Sequence, residues 1–465
     1  MSDSFSPLAP GLIVAAPASG QGKTTLTLGL IAALVQAGAA VRSFKVGPDY
    51  IDPAFHEAAS GRPCLNLDPW AMRGATLDAL ARALFAEAGL VIGEGVMGLY
   101  DGAADGTGAT ADLAARFALP VLLVVDASRQ GASIAALARG FAGHRADVTL
   151  AGIVLNRVGS AAHEAMLRRA LEASDIVVLG ALPRDESLAL PERHLGLVQA
   201  REHAALDAFI ARAAETVARH VDLAAIRAAS IAPQIPSPVE RRALAKRDVG
   251  EGKGGGSQTA GFAFTAIPPL GQRIAIARDD AFAFLYPHLR DGWRQAGATL
   301  AFFSPLADEP PPEDCDAVYL PGGYPELHAG TLAAAARFMA GLRAAGARGA
   351  VIYGECGGYM ALGDGLIDAS GARHAMAGLL PLETSFAARR LQLGYRMVEL
   401  SADGPLGPKD ARFRGHEFHY ATVIREGEGE ALFDATDATG APRGTIGRRR
   451  NRILGSFIHL IDAAT

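Results

Sequence analysis

Cysteine is scarce and scattered. Cys64, Cys315 and Cys356 are the only three in 465 residues, too few and too far apart for a disulfide framework or a zinc site. They fit a reducing compartment, so a cytoplasmic location is expected. A basic excess is missing too. With 44 Lys and Arg against 49 Asp and Glu, the net charge of −5 gives no global positive field to hold nucleic acid. Long apolar runs are absent: Leu28–Val35 and Leu119–Val125 fall well short of the roughly 18 residues a membrane span needs. Gly11–Ala18 ends in small residues as a signal-peptide core does, but Met1–Pro10 supplies no Lys or Arg ahead of it. Nothing repeats at a period of roughly 20 to 50 residues, which excludes a solenoid.

What is present suits a large globular chain. The length is roughly three times that of a usual single domain. Half the residues are hydrophobic and one fifth are charged, so a sizeable core is available. One stretch interrupts that composition. From Ile231 to Gln272 come repeated prolines, the charged run Glu240–Arg247 and the glycine-rich Gly250–Ser257. This reads as a linker, and it divides the chain into 1–230, 231–272 and 273–465. On either side, short apolar runs alternate with helix-length segments. They are Gly11–Ala16, Val41–Val46, Leu90–Gly93, Val121–Val125, Gly152–Leu155 and Ile176–Gly180, then Arg273–Ala277, Leu300–Phe303, Ala317–Leu320 and Ala350–Tyr353. Near-continuous Val, Ile and Leu suit parallel strands buried on both faces, so two α/β domains are expected.

In the first, a strand runs into Pro17-Ala18-Ser19-Gly20-Gln21-Gly22-Lys23-Thr24-Thr25. Small residues at Ser19, Gly20 and Gly22 let backbone N–H groups approach phosphate oxygens, Lys23 adds a point charge, and Thr24 offers a hydroxyl to Mg²⁺. The helix that follows aims its positive end at the same place. Proline stands where the usual P-loop pattern begins with glycine. Three further groups of residues end strands nearby. Phe44–Pro53 presents Lys45, Asp49, Tyr50 and Asp52; Glu94 heads Gly95–Gly102 with Asp101; and Asn156 closes Gly152–Leu155. Lys45 and Asn156 are candidates for ATP, Asn156 through its donor-and-acceptor amide or else as a simple cap. Asp49 and Glu94 join Thr24 as candidate Mg²⁺ ligands. Tyr50, Asp52 and Asp101 are candidates for the substrate side.

In the second domain, Ala350–Tyr353 turns sharply into Gly354-Glu355-Cys356-Gly357-Gly358-Tyr359-Met360. Cys356 at a helix N-terminus is placed where thiolate is favoured. A thiol nucleophile needs a base, and His459, expected at the end of a terminal strand Ile453–Ile458, is the candidate. Gly322, Gly323 and Gly357 offer backbone N–H groups for an oxyanion and for glutamine.

Together these motifs, with Leu190–Leu197 and His416-Glu417-Phe418-His419-Tyr420, resemble the cobyrinate-type glutamine-hydrolysing a,c-diamide synthases of corrinoid biosynthesis. The resemblance covers nearly the whole chain outside the linker. It implies a dethiobiotin-synthetase-like P-loop domain, in which Pro17 is ordinary, followed by a class I, triad-type glutamine amidotransferase domain. It implies an ATP- and glutamine-dependent carbon–nitrogen ligase of cobalamin biosynthesis that amidates the a and c acetates. Acyl phosphate and ammonia would meet along a sheltered path. Arg62–Trp70 and Asp101–Gly106 look closest to members that act on metal-free hydrogenobyrinic acid; cobyrinic acid is the alternative. A homodimer is the expected assembly. Many amidotransferases of this fold carry Glu two residues after the histidine, where this chain has Ile461. Cys356 and His459 then act as a dyad, or Asp462 or another group orients the imidazole. Two rivals stand beside this reading: the related amidotransferase that adds later peripheral amides, and a nucleotide-switched scaffold with a relic glutaminase domain.

Overall fold

The computed structural model describes residues 7–189, 192–193, 196–197, 200–202, 205–236 and 266–464. Residues 237–265 of the expected linker lie outside these, as do Leu190, Pro191, His194 and Leu195 of the Leu190–Leu197 motif. Two compact units emerge. The first holds most of the chain up to residue 236. The second holds residues 266 onward with two short segments, Ala71–Arg73 and Ala103–Asp105.

The first unit is built on a seven-stranded parallel sheet. Its strands are β1 (Gly11–Ala15), β2 (Val41–Val46), β3 (Leu65–Leu67), β4 (Leu90–Glu94), β5 (Val121–Asp126), β6 (Leu150–Val158) and β7 (Val178–Pro183), in the order β3-β2-β4-β1-β5-β6-β7. β1 and β4 are buried along their whole length, as strands covered on both faces must be. Six of the seven runs were legible as apolar segments; β3 is only three residues long and carries Asn66 at its centre. The order reverses around β1, which lies between β4 and β5. That is where an open α/β sheet leaves a crevice at its carboxyl edge. Register decides what meets there. Val14 and Lys45 are both partners of Glu94, and Asp126 is the partner of Asn156. Helix α1 (Lys23–Gln36) packs Leu26, Leu28, Leu30 and Leu34 into the core with Leu12 and Val14. It is apolar nearly all round because Leu206–His220, an amphipathic helix, covers its other side; Gly29 admits the backbone of Ala213 there.

The second unit carries a ten-stranded mixed sheet. Thr299–Phe303, Arg273–Ala277, Ala317–Leu320, Val351–Glu355 and Ile453–Ser456 run parallel. Antiparallel strands Pro442–Arg450, Glu430–Asp437, Gln392–Leu400, Arg412–His419 and Ile458–Ala463 complete it in that order. Gln392–Leu400 and Pro442–Arg450 were not legible as apolar runs, because each faces water: the first alternates in burial and the second is largely exposed. A single terminal strand Ile453–Ile458 is corrected as well. The chain breaks at Phe457, whose ring stacks on His419 (centroids 3.9 Å) and meets Tyr359 edge-on. Ser456 lies beside the parallel strands and Ile458 rejoins at the far edge of the same sheet, so His459 sits inside a strand rather than at the end of one. Among the described residues, no helix is long and apolar enough to cross a membrane.

Gly93 illustrates how tightly the first sheet is packed. The ring of Phe44 occupies the space its Cβ would need. Gly93→Ala is expected to destabilise the first unit by about 1–3 kcal/mol through overpacking. A lowered thermal or urea midpoint for this variant is the check, and an unchanged midpoint contradicts it.

Candidate functional sites

In the first unit, a cavity of about 390 Å³ opens at the carboxyl edge of the sheet. Ser19, Gly20, Gly22, Lys23, Thr24 and Thr25 form one wall, and Lys45, Asp49, Asp52 and Glu94 form another. Gly22 precedes α1 with φ +94°, a backbone state open to glycine, and no side chain caps that helix end. The first-turn N–H groups therefore face the cavity as an anion site. Lys23 Nζ donates to the Met97 carbonyl at 2.6 Å, and burial pulls its pKa down to about 8. The Thr24 hydroxyl donates to Glu94 Oε1 at 2.8 Å.

Glu94 is the junction of this wall. Its Oε1 accepts from Lys45 Nζ at 2.9 Å, and its Oε2 meets His56 Nε2 at 2.7 Å. Lys45 also pairs with Asp52 and lies 4.0 Å from Asp49. Burial works against charge on both Glu94 and Lys45. It is outweighed in Glu94 by Lys45 and His56, which hold the carboxyl below its usual range, and in Lys45 by the three carboxylates. Asp52 goes the other way: burial and the charge of Asp49 push it up to about 8. Asp52 is therefore largely protonated at neutral pH, and Glu94 lies between two cations, Lys45 and the His56 imidazole, which Cys64 and Glu94 push up to about 10 against burial.

Other candidates sit apart from the cavity. The Asn156 amide donates to the Gln21 carbonyl at 2.8 Å, tying the loop to the end of β6. Asp101 is exposed and accepts from the Gly98 N–H at 2.9 Å. Tyr50 is half-buried, and neither it nor Asp101 is among the lining residues. Sequence reasoning gave no role to His56 or Arg157. Arg157 lines the cavity, pairs with Asp126 and donates to the Gly20 carbonyl at 3.0 Å. His56 had a signal, since it closes the Gly47–His56 motif; Arg157 had none beyond its place after Asn156.

In the second unit, Cys356 stands at φ +47° and ψ −102° between the strand Val351–Glu355 and the helix Gly357–Leu362. Its N–H donates to the Ser456 carbonyl at 2.8 Å. A left-handed residue that is not glycine stores strain, and it persists here because the strand, the helix and this bond over-determine the turn. The glycines converge on the same spot. A Cβ on Gly322 would collide with the His459 ring, and one on Gly357 would lie 2.9 Å from Pro325 Cδ and 3.0 Å from the Gly323 nitrogen.

The expectation of a ready thiolate is corrected. Burial pushes the Cys356 thiol far up, Glu326 adds to it, and the Gly357 N–H does not compensate. His459 is pulled down to about 3, by burial first and then by His416 and His419. Both groups are therefore neutral in the free protein. The Asp462 carboxylate accepts from Arg73 Nη2 at 2.7 Å and from the Arg73 N–H at 2.8 Å. Glu355 Oε2 lies 3.9 Å from His459 Nδ1. In the His416–Tyr420 motif, Glu417 pairs with Arg396 at 2.6 Å and with His419 at 3.1 Å.

Comparison with known proteins follows this division. Residues 12–198 match the CobQ/CobB/MinD/ParA nucleotide binding domain, and residues 273–464 match the CobB/CobQ-like glutamine amidotransferase domain. Three curated relatives are called hydrogenobyrinate a,c-diamide synthase. The chain is 55% identical to the one from Brucella anthropi, over 97% of this chain and 98% of that protein. It is 54% identical to the one from a Sinorhizobium species, over 98% and 99%. The third, from Rhodobacter capsulatus, is 52% identical over 97% and 98%. With a phosphate cradle in one unit, a cysteine elbow in the other and relatives aligned end to end, the chain belongs to the family of glutamine-dependent a,c-diamide synthases.

Proposed function

We propose that this chain is a cytoplasmic enzyme, acting as a homodimer, that converts hydrogenobyrinic acid to its a,c-diamide with ATP and glutamine. The observation that carries the reading is the pairing on one chain of the Lys23–Thr24–Glu94 cradle with Cys356 and His459. The boundaries 1–230 and 273–465 are proposed for the two catalytic domains. Trp293 Nε1 donates to the Ile267 carbonyl, and the Ala463 N–H to that of Ala266, so the end of the 231–272 segment packs on the second unit.

In the first domain, the α1 N-terminus and the Ser19–Gly22 backbone bind the triphosphate, and Lys23 neutralises its terminal phosphates. The residues present fit Mg²⁺. Thr24, Asp49 and Glu94 are hard oxygen donors lining the cavity. Among the described residues, no group of three or more His, Cys, Asp or Glu could hold a metal ion. A Mg²⁺ here would be held by one or two carboxylates together with phosphates. When bound, the ion supplies charge neutralisation on the β- and γ-phosphates. Lys45 and His56 keep Glu94 ionised and fixed. A substrate carboxylate oxygen attacks the γ-phosphorus and ADP leaves. Ammonia then attacks the acyl carbon, inorganic phosphate departs and the amide remains. Each carboxylate, a and c, passes through this sequence once. Tyr50, Asp52 and Asp101 belong on the corrinoid side.

In the second domain, His459 takes the Cys356 proton as the sulfur attacks the side-chain amide carbon of glutamine. Gly322, Gly323 and Gly357 supply N–H groups for the oxyanion. The proton passes to the leaving nitrogen, ammonia departs and water releases glutamate from the thioester. Neutral thiol and neutral imidazole in the free protein make this a transfer that waits for substrate. A resting thiolate would react with oxidants.

The test is mass spectrometry of hydrogenobyrinic acid incubated with the protein, glutamine and Mg-ATP, with cobyrinic acid in parallel. A diamide formed from the metal-free acid is expected; reaction of the cobalt form alone moves the enzyme to the other substrate, and amidation of neither sinks the reading. Cys356→Ser is expected to lower glutamine-dependent turnover by about 10³-fold or more while ammonia-dependent turnover persists. Lys23→Ala is expected to lose amidation with both nitrogen donors by about 10²-fold or more. Product yields with each donor decide both outcomes.

A further inference from the structure

His459 lies in the outermost strand of the second unit's sheet, whereas Cys356 leaves a strand near its middle. Something must hold these two elements in register. Glu355 is placed to do so. It is the residue before the nucleophile, it is buried, and each of its oxygens has a defined neighbour. Oε1 accepts the Leu460 N–H at 3.1 Å, the residue directly after His459. Oε2 accepts the Tyr319 hydroxyl at 2.7 Å and lies 3.9 Å from His459 Nδ1. Glu355 closes the strand Val351–Glu355 one residue before the turn at Cys356, and its side chain reaches the segment that carries His459. Ile461 sits where the usual glutamate would, and Asp462 is engaged by Arg73.

We propose that Glu355 is the positioning carboxylate for His459, completing from the nucleophile's own strand the arrangement that related enzymes complete from the histidine's strand. The role rests on the glutaminase reading above. With Nδ1–H directed at Glu355, Nε2 is left as the lone-pair nitrogen that takes the thiol proton. The imidazolium so formed gains a carboxylate partner in a site with little water. Contacts of this kind are long in free enzymes and tighten with substrate. Tyr319, itself stacked on Tyr353 (centroids 5.8 Å), anchors Oε2 from behind. The charged and titratable groups around the pair are Tyr319 and Tyr353 beside Glu355, His416 and His419 on the strand adjoining His459, and Glu326 and Glu417, which with Glu355 itself act on the thiol. Burial pushes Glu355 up to about 7, against the Tyr319 and Leu460 bonds, so its charge is available at neutral pH and lost below it.

The experiment uses the full chain. Glu355→Gln retains an oxygen for the Leu460 N–H and removes the charge. Expected are a fall in kcat for glutamine hydrolysis on the order of 10²-fold, KM within about twofold, and unchanged ammonia-dependent amidation. The pH dependence of kcat for glutamine hydrolysis is followed as well. Burial holds the Glu355 carboxyl at about 7, so the unaltered enzyme is expected to lose rate as pH falls through that range, and Glu355→Gln to lose this acid-side midpoint. Glu355→Asp, which restores the charge at shorter reach, is expected to recover part of the rate and the acid-side midpoint; it also serves if Glu355→Gln does not fold. Glutamine hydrolysis unaffected in Glu355→Gln overturns the proposal. So does a slow Glu355→Gln with an unmoved midpoint, or a Glu355→Asp variant that folds but recovers neither rate nor midpoint. Loss of hydrolysis in Cys356→Ser beside an unaffected Glu355→Gln keeps the glutaminase and removes Glu355 from it. No hydrolysis by the unaltered chain overturns both.

Discussion

A lysine buried beneath a phosphate loop stays charged only if anions surround it, and the first unit is organised around that requirement. Lys45 is the penultimate residue of β2, Glu94 ends β4 and Asp52 opens the helix Asp52–Ser60. Parallel pairing places Lys45 opposite Glu94, and one lysine thereby collects the ends of two strands and the start of a helix. Leaving any one of these charges buried alone would carry a cost of several kcal/mol. The cluster accordingly rigidifies the wall that faces the phosphate cradle. Glu94 is then oriented by both Lys45 and His56, and the Thr24 hydroxyl reaches it from α1.

The second unit obeys a different constraint, which is steric. Cys356 must adopt a left-handed backbone so that its sulfur clears both strand and helix. The imidazole of His459 lies where a side chain on residue 322 would be, and the backbones of Gly323 and Gly357 approach each other beside it. These glycines are necessary because atoms of three separate segments occupy one small volume. Burial keeps both thiol and imidazole neutral until substrate arrives, so reactivity is coupled to occupancy. The helix N-terminus alone does not overcome that desolvation, which is why a reading from helix polarity expected a thiolate and the structure holds a thiol.

Legibility differed between the two halves for one reason. Strands covered on both faces announce themselves as apolar runs, and six of seven in the first sheet and the parallel strands of the second did so. Strands with one wet face carry Arg, Glu and Thr at alternate positions, and Gln392–Leu400 and Pro442–Arg450 went unread on that account. Among site residues, Ser19 to Thr25, Asp49 and Glu94 were readable because a loop places them together over a few positions or at a strand end. Arg157 was not, since it reaches the cavity only through the pairing of β5 with β6 and the meeting with Asp126.

The sequence by itself determined the local chemistry: a small-residue loop before Lys23 and Thr24, a cysteine between a buried strand and two glycines, and a histidine in the last apolar segment. Each depends on contacts within about ten residues, which composition and spacing express directly. Only the tertiary structure decided which partners those groups acquire. Asp462 turned to Arg73, the Asn156 amide turned to the loop backbone, and Glu355 came to lie behind His459 although 104 positions separate them along the chain. Strand register and sheet order create such meetings, and these follow from the packing of whole elements rather than from any short stretch of residues.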